Sequence, residues 1–155
     1  METGSPASGE KSFRLQITRS FQASRERVFE AFTGKEGVKV WFACPSNLRW
    51  LEEPLLDLRS GGGYRFTVGD GKNVWTIHGS YLEVNPPERV KFTWLWDEDP
   101  IHGDSGDTVV TVEFKERGAS TDVVLTHEGF SSERSRKEHD EGWAECLAAL
   151  DPLLS

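Results

Sequence analysis

The sequence lacks the features by which several classes of protein are recognised. Lys and Arg are outnumbered by Asp and Glu, 18 to 26, and the formal net charge is −8, which disfavours binding to nucleic-acid phosphates or to an anionic membrane surface. No run of about 18 apolar residues occurs, and no basic and then apolar segment opens the chain, so neither a membrane span nor a secretion signal is expected. Only two cysteines are present, Cys44 and Cys146. Both lie in apolar surroundings, which favours reduced, buried thiols and a cytoplasmic location.

The motifs of the common catalytic and metal sites are also missing. The sequence contains no HExxH, CxxC, GxSxG or phosphate-binding motif. Gly61 to Gly63 precede a predicted strand rather than a helix, so they indicate a bulge or a close backbone approach within a sheet. The acidic loop at 97–107 does not have the spacing of a helix-flanked calcium loop, which favours a solvated connection. We therefore assign no catalytic residue, no metal and no cofactor.

Alternation of apolar and polar residues predicts that most of the chain forms strands. Residues 1–11 are small and polar and are expected to be a disordered tail ahead of one domain at 12–155. The predicted strands are 13–21, 55–59, 64–68, 74–84, 90–96, 108–115 and 121–128. Turns at 70–71 and 117–120 join four of these strands into two hairpins.

Two short helices are expected after the first strand. Ser24 should cap the first helix. Thr33 and Glu36 have the spacing of a capping box for the second helix, which should end near Trp41.

The last stretch, from Ser131 to Leu154, is predicted to be one long amphipathic helix. At about 100° per residue, its apolar side chains form one stripe. The stripe consists of His139, Trp143, Cys146, Leu147, Leu150, Leu153 and Leu154. Because the helices are separated in sequence from consecutive hairpins, we predict an α+β domain whose antiparallel sheet is covered on one face by this helix.

Aromatic and histidine side chains are the candidates for a binding site. Six tryptophans occur in 155 residues. Core packing explains most of them, but large rings packed against one helix also leave irregular space in which a flat hydrophobic ligand can stack. The candidate ligand-binding residues are Trp41, Phe66, His78, Trp94, Trp96, His127, Arg136, His139 and Trp143.

The polar candidates each have a structural alternative. His102 lies in the acidic loop and is expected to be solvated. The other three histidines either face a cavity, where a pair could also act as acid or base, or make structural hydrogen bonds. Arg136, one turn before His139, either extends to solvent or meets an anionic or carbonyl-bearing ligand at the mouth of the cavity.

Six segments, taken in order, carry a resemblance to a known family. They are ITRSFQASRERVFEAFT, DLRSGGGYRF, GSYLEVNPPERVKFTW, VTVEF, TDVVLTHEGF and EGWAECLAALDPLL. Together they resemble the activators of heat-shock-protein-90 ATPase homologues, within the START-like (SRPBCC) superfamily. The resemblance implies a helix-grip fold, also called Bet v-like, in which a curved antiparallel sheet wraps around a long C-terminal helix and leaves a cavity between them.

Three functions follow as hypotheses. The first is a monomer or weak dimer that encloses a small hydrophobic molecule, aromatic or polyketide-like, as some similar domains do in antibiotic biosynthesis or self-resistance. The second is stimulation of a heat-shock-protein-90 ATPase through the protein surface. The third is a cyclase or hydrolase-like enzyme that uses the cavity histidines. The absence of catalytic motifs favours binding over catalysis.

Overall fold

The computed structural model describes residues 13–42, 48–97 and 108–154. The strands are β1 (Phe13–Phe21), β2 (Arg49–Trp50), β3 (Leu55–Leu56), β4 (Gly63–Gly69), β5 (Val74–Asn85), β6 (Arg89–Asp97), β7 (Thr108–Arg117) and β8 (Ser120–Phe130). The helices are α1 (Arg25–Thr33), α2 (Lys35–Trp41), α3 (Glu133–Ala148) and α4 (Asp151–Leu154). The predicted tail, Cys44 and the part of the acidic loop that contains His102 lie outside the described residues.

The strands form one antiparallel sheet with the order β1-β8-β7-β6-β5-β4-β2, and β3 also pairs with β4. The first strand therefore pairs with the last, from Phe13 opposite Phe130 to Phe21 opposite Thr121. Hairpins connect β4 to β5 and β7 to β8, as predicted. The helices contact β1, β7 and β8, so the architecture is the predicted α+β arrangement.

Alternation along the strands separates an inner face, which packs against the helices, from an outer face. In β6, Val90, Phe92 and Trp94 are buried, and Trp96 is half-buried on the same face. The predicted inner face of this strand is confirmed. This face of β6 forms part of the hydrophobic core.

The C-terminal segment consists of two helices and not the single helix expected from Ser131 to Leu154. α3 begins after Ser132, whose Oγ accepts a hydrogen bond from the Ser135 N–H at 3.1 Å. It ends at Ala148 because Pro152 has no N–H to donate to the Ala148 carbonyl, and its ring would also clash with that carbonyl. Within the described residues, no helix is both long and apolar enough to cross a membrane.

The break preserves most of the predicted apolar stripe. His139, Trp143, Leu147, Leu150 and Leu154 are all buried. Two members differ, because Cys146 is half-buried and Leu153 is 43% exposed.

The predicted capping box between the two short helices is wrong. Thr33 is the last residue of α1, and its Oγ1 donates to the Phe29 carbonyl oxygen at 2.7 Å. Gly34 alone separates the helices and makes no side-chain cap for α2. Ser24, in contrast, caps α1 as expected and accepts from the Arg27 N–H.

The strand predicted at 55–59 is limited to Leu55–Leu56, because the chain then turns. The Arg59 N–H donates to the Asp57 carbonyl and the Gly62 N–H donates to the Arg59 carbonyl, both at 2.8 Å. A Cβ atom on Gly62 would lie 2.0 Å from the Asp57 carbonyl oxygen. The close backbone approach expected at these glycines is therefore confirmed.

Candidate ligand-binding site

Aromatic rings from the sheet and the helices meet in the interior. The Trp94 ring of β6 and the Trp143 ring of α3 have centroids 4.9 Å apart. The Trp41 ring at the end of α2 lies 5.5 Å from Trp143 and stacks on Phe32 of α1 at 4.8 Å. We call this group the ring cluster; its members are Phe32, Trp41, Phe42, Phe66, Trp94, Trp96, His127, His139 and Trp143.

His127 is fully buried in the ring cluster and uses both ring nitrogens. Its Nδ1 accepts a hydrogen bond from the Trp143 Nε1–H at 3.0 Å. Its Nε2 lies 2.7 Å from Thr108 Oγ1, which itself donates to the Trp94 carbonyl oxygen at 2.9 Å. Because the hydroxyl hydrogen is committed to that carbonyl, Nε2 must carry the imidazole hydrogen. His127 is therefore neutral, with the Nε2–H tautomer.

His139 has the opposite tautomer. Its Nδ1 lies 2.8 Å from the Ser135 carbonyl oxygen, which only accepts, so Nδ1 carries the hydrogen. Its Nε2 accepts from the Trp96 Nε1–H at 3.0 Å. Each histidine thus accepts a hydrogen bond from one indole N–H and donates its own ring N–H to another protein atom.

The two imidazoles are neighbours, with ring centroids 5.3 Å apart. Burial lowers the pKa of His127 well below 6.5, and the nearby His139 lowers it further. Protonation of His127 at Nδ1 would point two N–H groups at each other, because Trp143 already donates to that atom. The polar groups of the ring cluster are therefore arranged for neutral imidazoles.

A small cavity lies beside the ring cluster, between the sheet and helices α1 and α2. Its volume is about 20 Å³, enough for about one water molecule. The lining consists of Phe32, Thr33, Val38, Trp41, Tyr64, Phe66, Tyr81, Val90 and Phe92. Burial raises the pKa of Tyr64 and of Tyr81, so both hydroxyl groups stay protonated. Thr33 and the two phenols are the polar side chains in this lining.

Two of the nine predicted site residues lie apart from the others. Ile77 is fully buried and pairs with Phe66 and Trp96. His78, the next residue, therefore projects from the outer face of the sheet. Arg136 lies on the surface of α3, where it forms ion pairs with Glu133 and Asp140.

The remaining seven predicted residues converge on the inner face. They are Trp41, Phe66, Trp94, Trp96, His127, His139 and Trp143. Phe42 and Thr108 complete the arrangement, but they are not among the site residues predicted from the sequence. Phe42 directly follows Trp41, and Thr108 is the polar first residue of a strand whose next inward residues are apolar. These are weak signals that become clear only when the strands are paired.

Among the described residues, no three His, Cys, Asp or Glu side chains are grouped as ligands of a metal ion would be. The donors and acceptors nearest the ring cluster belong to indoles, imidazoles and hydroxyl groups.

Comparison with known proteins identifies relatives over nearly the whole chain. The family model described as Activator of Hsp90 ATPase homolog 1-like protein matches residues 22–155. No curated protein matches the sequence.

Several solved structures share the fold. Protein CV1439 from Chromobacterium violaceum is 26% identical, and the match covers 91% of this chain and 96% of that one with a TM-score of 0.76. CalU16 from Micromonospora echinospora is also 26% identical, with coverage of 93% and 77% and a TM-score of 0.69. The AHSA1 protein from Silicibacter pomeroyi is 23% identical, covers 92% and 97%, and has a TM-score of 0.79, a likeness that supports the fold alone. The helix-grip fold expected from the sequence is confirmed.

Proposed function

This chain belongs to the Activator of Hsp90 ATPase homolog 1-like family, and from that premise we propose that it binds a small, flat hydrophobic molecule in the ring cluster. The observation that carries the proposal is the apolar cavity under α2, because six of its nine lining side chains are aromatic. Aromatic walls favour stacking and edge contacts with an aromatic guest. An aromatic or polyketide-like compound is the expected class.

The guest must displace side chains to enter. A cavity of about 20 Å³ is far smaller than ligand sites, which are typically ~300–1,000 Å³. Phe42 is the side chain that we expect to move, because it directly follows α2 and its ring packs against Phe66, which lines the cavity. We propose that the guest takes the place of this ring.

The surroundings of Phe42 support that assignment. Its ring centroid lies 5.3 Å from Phe66 and 5.6 Å from Trp50. It also lies 6.1 Å from Trp94 and 6.4 Å from Trp96. A planar guest in the same position would make the same ring contacts that Phe42 makes now. The proposed site therefore extends from the cavity to these four rings.

The hydrogen bonds of the two interior histidines favour binding over catalysis. Both nitrogens of His127 and both nitrogens of His139 already have partners. A histidine that takes a proton from a substrate would first have to lose the hydrogen bond that it accepts from an indole N–H. That N–H would then be buried without an acceptor. We therefore propose that these histidines orient the tryptophans rather than transfer protons.

Titration with a panel of planar aromatic compounds, including an anthraquinone as a polyketide-like member, tests the proposal. We expect quenching of tryptophan fluorescence and a one-to-one adduct in native mass spectrometry. Phe42→Ala should bind more tightly, because no ring has to be displaced, whereas Val40→Ala, on the exposed side of the same helix, should bind like the original protein. No adduct and no fluorescence change with any compound would contradict the proposal. In that case, stimulation of a chaperone ATPase would be the hypothesis to measure next.

A further inference from the structure

One buried indole in the ring cluster has no hydrogen-bond acceptor among the described residues. Trp41 Nε1 donates to the Phe32 carbonyl oxygen at 3.0 Å, and Trp50 Nε1 donates to the Lys39 carbonyl oxygen at 2.9 Å. Trp96 and Trp143 donate to the two histidines. Trp94 Nε1 is buried and has no acceptor within hydrogen-bonding distance in the described part of the chain.

This indole differs from the buried guanidinium nitrogens that lack a hydrogen bond in the described residues. The Nε atoms of Arg19 and Arg25 are examples, but each of these guanidinium groups forms an ion pair through another nitrogen. An indole has a single polar hydrogen, so Trp94 has no second way to be satisfied. Buried donors without an acceptor are rare in folded proteins and call for an explanation, such as a bound molecule.

The position of Trp94 connects this donor to the proposed site. Its ring centroid lies 4.9 Å from that of Trp143 and 6.1 Å from that of Phe42. Phe42 is the ring that the guest is proposed to replace, and a hydrocarbon ring has no atom that could accept the Trp94 hydrogen. A guest in that place with an oxygen directed at Trp94 would supply the missing acceptor.

We infer that the guest is a planar aromatic compound bearing a carbonyl oxygen, a ketone or quinone, that accepts a hydrogen bond from Trp94 Nε1. This inference rests on the proposed function and narrows its ligand class. The indole hydrogens of Trp41, Trp50, Trp96 and Trp143 are already donated to protein acceptors, so among these indoles Trp94 is the one that a carbonyl oxygen can pair with. A hydrocarbon of the same shape would fill the space but leave the donor unpaired.

Fluorenone and fluorene provide the test, because they have the same ring system and differ by one carbonyl oxygen. The dissociation constants of both should be measured for the original protein, for Trp94→Phe and for the control Trp75→Phe, which replaces a tryptophan outside the ring cluster. We expect fluorenone to bind about 3- to 10-fold more tightly than fluorene. The preference should disappear in Trp94→Phe and persist in Trp75→Phe.

The indole signals of the ¹⁵N-labelled original protein provide a second readout, which does not require Trp94→Phe to fold. The Trp94 Nε1–H signal should move downfield with fluorenone and less with fluorene. Equal affinities for the two compounds, or a preference that survives in Trp94→Phe, would overturn the inference while the proposed function stands. If neither compound nor any of the wider panel binds, the proposed function fails and this inference fails with it.

Discussion

His127 is the residue on which the buried polar network depends, since it joins α3 to the sheet through Trp143 and Thr108. Replacement by leucine keeps an apolar side chain but leaves the Trp143 N–H without its acceptor. We expect His127→Leu to lower the free energy of unfolding by about 1–3 kcal/mol. Chemical denaturation measures this loss.

A double-mutant cycle of His127 and Trp143 provides the control, because it measures the coupling energy between the two side chains. Trp143→Phe removes the donor, so the double variant should lose about 1 kcal/mol less than the sum of the two single variants. Additive losses would mean that the hydrogen bond contributes nothing and that packing alone explains the effect.

The lowered pKa of His127 predicts a pH dependence of stability. The unfolded chain takes up a proton near pH 6.5, whereas the folded chain resists it because burial and His139 disfavour the charge. Below that pH the unfolded state binds more protons than the folded state. The free energy of unfolding should therefore fall by up to about 1.4 kcal/mol for each unit by which the pH is lowered. Above that pH the contribution of His127 is fully present and constant.

Denaturant titrations between about pH 5 and 7 measure this slope, in a range where most carboxyl groups are still charged. His127→Leu should show a smaller slope than the original protein. Equal slopes in the two proteins would assign the pH dependence to other groups and contradict the neutral, buried state of His127.

Among the elements, the close packing of α2 against α1 depends on Gly37. A Cβ atom on Gly37 would lie 1.6 Å from the Ala31 carbonyl oxygen, so a larger residue must push the two helices apart. Gly37→Ala should therefore lower the free energy of unfolding by about 1–3 kcal/mol.

Gly142 is the matched control, because it is also a helical glycine but has open space where a Cβ would lie. Gly142→Ala should raise the free energy of unfolding by about 0.5–1 kcal/mol, since alanine restricts the unfolded chain and favours the helix. A loss of stability in both variants, or in neither, would contradict the close contact between α1 and α2.

Most elements could be predicted from periodicity, and the errors have physical causes. Strict alternation in β6 correctly placed Trp94 and Trp96 on one face. The end of α3 was missed because the apolar stripe continues past it, although Pro152 marks the break. His78 was a candidate to face the cavity, with a structural hydrogen bond as the alternative. Its face depends on pairing with neighbouring strands, which a single strand does not reveal.

For the whole molecule, the sequence predicted the sheet and the C-terminal helix but not how completely the interior is filled. Hydrogen bonds such as the one from Trp96 to His139 join residues 43 positions apart. They depend on the placement of α3 relative to β6, which no local pattern specifies. The lack of an acceptor for the Trp94 Nε1–H among the described residues likewise follows from the packing of the rings around it.

At the scale of the whole molecule, an aromatic guest is proposed to enter the ring cluster. Nuclear Overhauser contacts between the protons of bound fluorenone and the protein test it most directly. We predict contacts with Trp94 and Trp96, together with loss of the contacts between those rings and Phe42. Contacts confined to exposed side chains such as Leu51 and Val74, with the Phe42 contacts unchanged, would contradict the claim.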